Sequence, residues 1–188
     1  MRCPYCQNPL PADDAPECPA CRLTFPRTTT LVGAVPRLSP AVADTTQTIG
    51  QADLTRLKRR IQEMEQRFPE LSVQLVMHHF PREHPFSMHI FWLFNAGAFA
   101  SESRRGASNH GLLIAVDPLR QEAAIMPGYG LEPFLKEETI GHLLDLASPA
   151  WEEGQWTDGF LRVLNSLDKL LESVAQPITT GIPAENDF

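Results

Sequence analysis

The sequence predicts an α/β fold, a mixed sheet with helices on both faces, preceded by a small cysteine-rich head. Three observations predict it. Segments with helical and strand periods follow one another in the order α-β-α-β-β-α-α. The run Leu112-Leu113-Ile114-Ala115-Val116 is short and wholly apolar, as a strand covered on both faces should be. All four cysteines of the 188-residue chain stand before residue 22.

The head comes first. Cys3-Pro4-Tyr5-Cys6 and Cys18-Pro19-Ala20-Cys21 are two C-x-x-C turns separated by eleven residues. Each such turn presents two sulfurs on one side, and this spacing lets the two turns face one another around a tetrahedral zinc. Other readings share the motif. Two disulfides require an oxidising compartment, a redox pair requires a helix directly after the motif, and an iron site uses the same four thiolates. A structural zinc ribbon over residues 1–26, with Cys3, Cys6, Cys18 and Cys21 as ligands, is the expectation taken. Residues 27–47, rich in Thr, Pro and Ala without a period, read as a linker or extended lead-in.

The body is expected over residues 48–176. Leu54, Leu57, Ile61, Met64 and Phe68 recur every three or four residues and predict a helix, with Thr48 and Gln51 as a capping box and Pro69 closing it. Leu71, Val73, Leu75 and Met77 alternate with more polar neighbours, the period of a half-buried strand. A second helix is predicted from Phe86 to Asn95, stopped by Gly97. Asp117-Pro118 turns the apolar strand into a partner from Glu122 to Met126, a hairpin. Helices over Phe134 to Ala147 and Thr157 to Val174 follow, the latter with Phe160, Leu164, Leu167, Leu171 and Val174 as its apolar stripe. Residues 177–188 read as a flexible tail.

Charge narrows the function classes. The net charge of −7 is concentrated in residues 111–188, where thirteen acidic side chains face four basic ones. Such a half repels a phosphate backbone, and the basic cluster Lys58-Arg59-Arg60 sits on a predicted helix where a solvated face accounts for it. Nucleic acid is therefore not expected as a partner. The longest charge-free run, His84 to Ser101, contains histidines, Pro85 and Asn95, so no membrane span is expected. Met1-Arg2-Cys3-Pro4 lacks the apolar core of a signal peptide, and a cytoplasmic location is the expectation.

Catalytic signatures are sparse. Every cysteine lies in the head, no Gly-x-Ser-x-Gly elbow occurs, and Gly128-Tyr129-Gly130 lacks the residues of a phosphate-binding loop. His79, His84 and His89 have no fixed mutual geometry that would argue for a metal. Asn109, Asp117, Glu132, Glu152, Glu153 and Asp158 fall near strand ends and loops. Gathered at one rim they would suit calcium or magnesium; separate surface carboxylates account for them equally well.

The stretch Asn109 to Asp117, then Met126-Pro127-Gly128-Tyr129-Gly130-Leu131-Glu132, then Pro149 to Trp156 with Gly159, resembles the TPM domain family. The resemblance covers about residues 40–175. It implies a three-layer α/β/α sandwich and a divalent-cation cleft at the rim of the sheet, for which Asn109, Glu132 and Glu153 stand at matching positions. Some members are weak acid phosphatases, and others are accessory proteins. This chain has Asn109-His110-Gly111 where the family commonly reads Asp-Asn-Gly, and Gln155 where many members are acidic. Each lost carboxylate weakens a hard-cation site. The expectation is a largely non-catalytic binding or accessory module with a protein partner and a structural zinc. The alternative is a weak phosphomonoesterase using calcium or magnesium.

Overall fold

Strand β1 (Val42–Asp44) runs parallel to β2 (Ser72–Met77), which runs parallel to β3 (Gly111–Asp117); β4 (Glu122–Pro127) returns antiparallel beside β3. The computed structural model in which these strands are seen describes residues 2–12, 15–34, 38–96 and 110–175. Helices α1 (Phe25–Val32), α2 (Gln51–Arg67), α3 (Phe86–Ala96), α4 (Glu137–Glu152) and α5 (Trp156–Ala175) complete the described elements. The β3–β4 hairpin pairs Asp117 with Glu122 and Leu112 with Pro127, as the turn at Pro118 requires.

The two faces of the sheet bury different partners. Val73, Leu75 and Met77 of β2, with Leu112, Ile114 and Val116 of β3, join Leu57, Ile61 and Met64 of α2, Leu143 of α4 and Phe160 and Leu164 of α5 in one core. Val76, Leu113 and Ala115 point the other way, onto Phe86, Ile90 and Leu93 of α3. The arrangement is a three-layer α/β/α sandwich with a mixed sheet. Each fully buried Leu, Ile or Met stabilises it by about 1.5–3 kcal/mol.

Several expectations are corrected. Strand β2 is not half-buried: all but its first residue are buried, because a parallel central strand has helices on both sides. The capping box does not form. Gly50 is the N-cap of α2 and makes no side-chain cap bond, while Thr48 Oγ1 lies 2.8 Å from Thr46 Oγ1. Helix α1 begins at Phe25 and runs on to Val32, and the edge strand β1 lies within residues 27–47. Helix α1 is held by Thr24, whose side chain accepts from the Arg27 N–H, and strand β1 is too short for any period to show. Helix α4 runs to Glu152, past its predicted end. Gly97, the segment 97–109 with Asn109, and the tail 177–188 lie outside the described residues.

Helix α3 is apolar nearly all round. Phe86, Met88, His89, Ile90, Trp92 and Leu93 are all buried, which a surface helix would not tolerate. It is covered twice, by the sheet on one side and by the cysteine head on the other. Met88, fully buried, packs with Cys3, Cys18 and Leu23.

Candidate functional site

The two C-x-x-C turns fold by the same local rule. The Cys3 N–H donates to the Asn8 carbonyl and the Gln7 N–H returns to the Cys3 carbonyl; the Cys18 N–H donates to Leu23 and the Arg22 N–H to Cys18. Gln7 and Arg22 occupy equivalent places, and both have φ of 60°. Antiparallel bridges at Arg2 with Pro9 and Glu17 with Thr24 close each knuckle.

These knuckles bring four free thiols together. Cys3 Sγ lies 3.7 Å from Cys21 Sγ, Cys6 Sγ lies 3.6 Å from Cys18 Sγ, and all four sulfurs fall within 4.8 Å of one another. A zinc tetrathiolate with bonds of about 2.3 Å has sulfur edges of about 3.8 Å, so the donor set fits a tetrahedral metal. Among the described residues this is the one group of three or more Cys, His, Asp or Glu side chains with ligand atoms placed to hold a metal ion.

The surroundings act on the thiols unequally. The Asn8 side chain donates to Cys6 Sγ at 3.3 Å and, with the Asn8 backbone N–H, holds that thiol down to about 6. Removal from water pushes Cys21 up to about 12 and raises Cys3. Four thiolates this close repel one another, and a cation at their centre relieves both effects. Asn8 was invisible as a site residue, because nothing in its spacing marks it.

The head is docked on the body. Ser87 Oγ donates to the Pro4 carbonyl at 2.6 Å, inside the first knuckle, and Gln7 Nε2 donates to Ser87 Oγ at 3.0 Å. Phe25 meets Phe91 edge to face at 6.3 Å, and the Tyr5 and His84 rings lie 6.4 Å apart. More than eighty residues separate Ser87 from the turn it joins, so no local pattern could have paired them.

A second concave region lies where β3 ends and β4 begins. It is a cleft of about 580 Å³ walled by the last turns of α4 and by Trp156, with Asp117, Glu122, Asp145 and Glu152 on its lining. Asp117 is fully buried and its oxygens accept from three backbone N–H groups: Phe80 at 2.8 Å, Leu119 at 2.9 Å and Arg120 at 3.2 Å. Asp44, which carried no signal, plays the same part at the end of β1, accepting from the N–H groups of Thr46 and Ile49. Both carboxylates hold turns together.

The remaining predicted residues are spread out. Glu153 follows α4 beside the cleft and accepts from Gln155 Nε2 at 3.0 Å; Glu152 accepts from Ser148 Oγ. Asp158 stands 3.7 Å from Arg56 on the outer surface. Glu132 belongs to the loop after β4, next to the Gly111 end of β3, where Gly128 donates to the Gly111 carbonyl. Asn109 lies outside the described residues, but its neighbour His110 sits over Gly130, where an added Cβ would be 2.6 Å from the His110 Nε2. Of the histidines considered for a metal, His84 and His89 have ring centroids 6.3 Å apart, and the His89 Nε2 lies 3.0 Å from the Pro81 carbonyl.

Known structures share this fold at low sequence identity. The N-terminal domain of a Porphyromonas gingivalis (P. gingivalis) protein aligns over 78% of this chain and 88% of its own, at 15% identity and a TM-score of 0.59. The N-terminal domain of the cg2496 protein of Corynebacterium glutamicum covers 83% and 98%, at 16% identity and 0.53. The BA42 protein of the psychrophilic bacterium Bizionia argentinensis covers 69% and 85%, at 10% identity and 0.56. No curated protein matches the chain. The model of the TPM domain matches residues 42–170, from the first residue of β1 into the last turns of α5 and so across every strand of the sheet; the chain belongs to the TPM domain family.

Proposed function

We propose that this protein is a binding or accessory module in which a metal-closed head is joined to a TPM domain that carries out little or no catalysis. One observation carries the reading: Asp117, the buried carboxylate that reaches the cleft from the sheet, is committed to three backbone N–H groups. Its lone pairs hold the turn after β3 and tie it to Phe80 in the loop after β2, which leaves them poorly placed for a cation or a phosphoryl group. The metal in the head is proposed to be zinc, held by Cys3, Cys6, Cys18 and Cys21. Bound there it crosslinks the knuckles, and with four protein ligands it keeps no open position. Such thiolates persist where thiols stay reduced, as in the cytoplasm. The partner is proposed to be a protein.

A second reading, a weak acid phosphatase using calcium or magnesium held by Asn109, Glu132 and Glu153, is favoured by the acidic lining of the cleft, with Glu122, Asp145 and Glu152. The test separates the two. Purified protein is assayed for p-nitrophenyl phosphate hydrolysis with calcium, magnesium and manganese, beside Glu132→Ala and Glu153→Ala variants. Hydrolysis at the level of the blank is expected. Metal-dependent turnover that disappears in either variant would overturn the module reading and establish the second.

A further inference from the structure

The exposed seam between α2 and α5 carries an arrangement that neither helix shows alone. Arg56, Arg59 and Arg60 of α2 and Arg162 of α5 line one cleft of about 390 Å³, together with Glu63 and Asp158. On α2 these positions follow i, i+3, i+4 and i+7, and the α5 residues Asp158, Leu161, Arg162 and Asn165 repeat the same spacing opposite them. Two facing stripes thus bring four guanidinium groups against two carboxylates, in a protein whose net charge is −7.

The four arginines are not equivalent. Arg60 is largely buried and engaged across the seam: its Nε donates to Asn165 at 2.8 Å and its Nη2 to Asp168 at 2.6 Å, fastening α2 to α5. Arg59 reaches Glu63 only at 3.8 Å and Arg56 reaches Asp158 only at 3.7 Å, both beyond hydrogen-bond length. Their side chains are 72% and 54% exposed. Arg162 makes one long bond, 3.4 Å, to the Leu146 carbonyl. Each guanidinium has five N–H donors in a planar fork suited to paired oxygens. Three of these forks therefore face the groove with most donors turned to water.

We propose that this groove is a docking site for an acidic peptide segment of a partner protein, its carboxylate or phosphate oxygens engaging Arg56, Arg59 and Arg162. It deepens the reading of the protein as a binding module by naming the partner's chemistry. Charge complementarity favours a short anionic segment over a nucleic acid. The excess positive charge is local, the carboxylates of Glu63 and Asp158 border it, and a long phosphate backbone would run on into the acidic remainder of the surface.

The test uses the full chain and a fluorescein-labelled hexaglutamate peptide read by anisotropy, with a phosphoserine-containing version and a single-stranded oligonucleotide beside it. Hexaglutamate binding that weakens several-fold between 50 and 200 mM salt is expected, with a loss of at least tenfold in Arg59→Glu/Arg162→Glu. Arg59→Gln, a milder change at the most exposed of the four, is expected to weaken binding about threefold with no change in melting temperature. Tighter binding of the phosphoserine peptide would assign the anion to a phosphorylated partner, and equal binding to a carboxylate-rich one; both support the site. Absence of peptide binding, binding unchanged in both variants, or an oligonucleotide bound as tightly would overturn it. So would concentration-dependent self-association lost in the double variant, which would assign the groove to a second copy of the chain. Phosphatase turnover would overturn the module reading while leaving the groove's affinity standing, so the two failures are distinguishable.

Discussion

Two helical glycines that look alike in the sequence should respond to the same substitution with opposite signs. Gly141 lies inside α4 and Gly159 inside α5, and replacing a helical glycine by alanine is worth about 1 kcal/mol of stability from backbone entropy alone. A Cβ on Gly141 meets nothing within 4 Å, so Gly141→Ala should keep that gain. A Cβ on Gly159 would run into Nε1, Cδ1 and Cε2 of Trp151. That indole cannot easily retreat: its Nε1–H donates to the Trp156 carbonyl at 3.3 Å, and its ring packs against Phe160 at 5.7 Å. Forcing a methyl into such a core costs up to about 3 kcal/mol. The net loss for Gly159→Ala is therefore about 2 kcal/mol, equivalent for a chain of this size to a fall of about 4–8 °C in melting temperature. Gly141→Ala should rise by about 2–4 °C. Scanning calorimetry of the wild type and both variants measures the pair, and Trp151→Leu should cost less in the Gly159→Ala background than alone, because the collision is then gone. A melting temperature for Gly159→Ala at or above that of the wild type would refute the packing argument.

Metal removal should reach beyond the head. Because Met88 packs on Cys3 and Cys18 and Ser87 bonds to Pro4, chelation or Cys6→Ser should lower the melting temperature of the whole chain, and an unchanged main transition would show the head to be energetically separate. Asp117→Asn replaces an acceptor facing backbone N–H groups with a donor and should cost about 1–3 kcal/mol in urea unfolding; a change under a few tenths would contradict the role given to that carboxylate. Burial lowers the His89 and His78 pKa values below the unfolded value of 6.5, so the unfolded chain takes up protons first. The stability they contribute is complete above about pH 6.5 and is lost as pH falls through the depressed folded values. Urea midpoints measured from pH 7.5 downward should decline, with a shallower slope in His89→Gln.

Much of the fold was legible because it rests on local pattern. The 3.6-residue stripes of α2 and α5, the apolar run of β3 and the Pro118 turn each bury or reverse the chain by short-range rules, and these rules alone yield a mixed sheet between helices. The same holds for the two C-x-x-C turns, whose geometry is set within six residues. Strand β1 and helix α1 escaped because three strand residues carry no period and α1 is stabilised by a Thr cap and a packing partner, not by its own stripe. Strand β2 looked half-buried because Ser72, Gln74 and His78 supply an alternating pattern, yet Gln74 is buried and its amide donates to the Ser39 carbonyl.

What the sequence determined by itself was thus the identity of most of the elements, the four thiols that cluster in the head, and the family. What only the tertiary structure decided was which distant residues meet. It seated the head on α3, turned Asp117 and Asp44 into acceptors for backbone N–H groups, and set Arg162 against the arginines of α2. The physical reason is one of range. Hydrophobic period and turn chemistry act over a few residues, whereas a carboxylate's role depends on which donors reach it, and those donors lie across the chain.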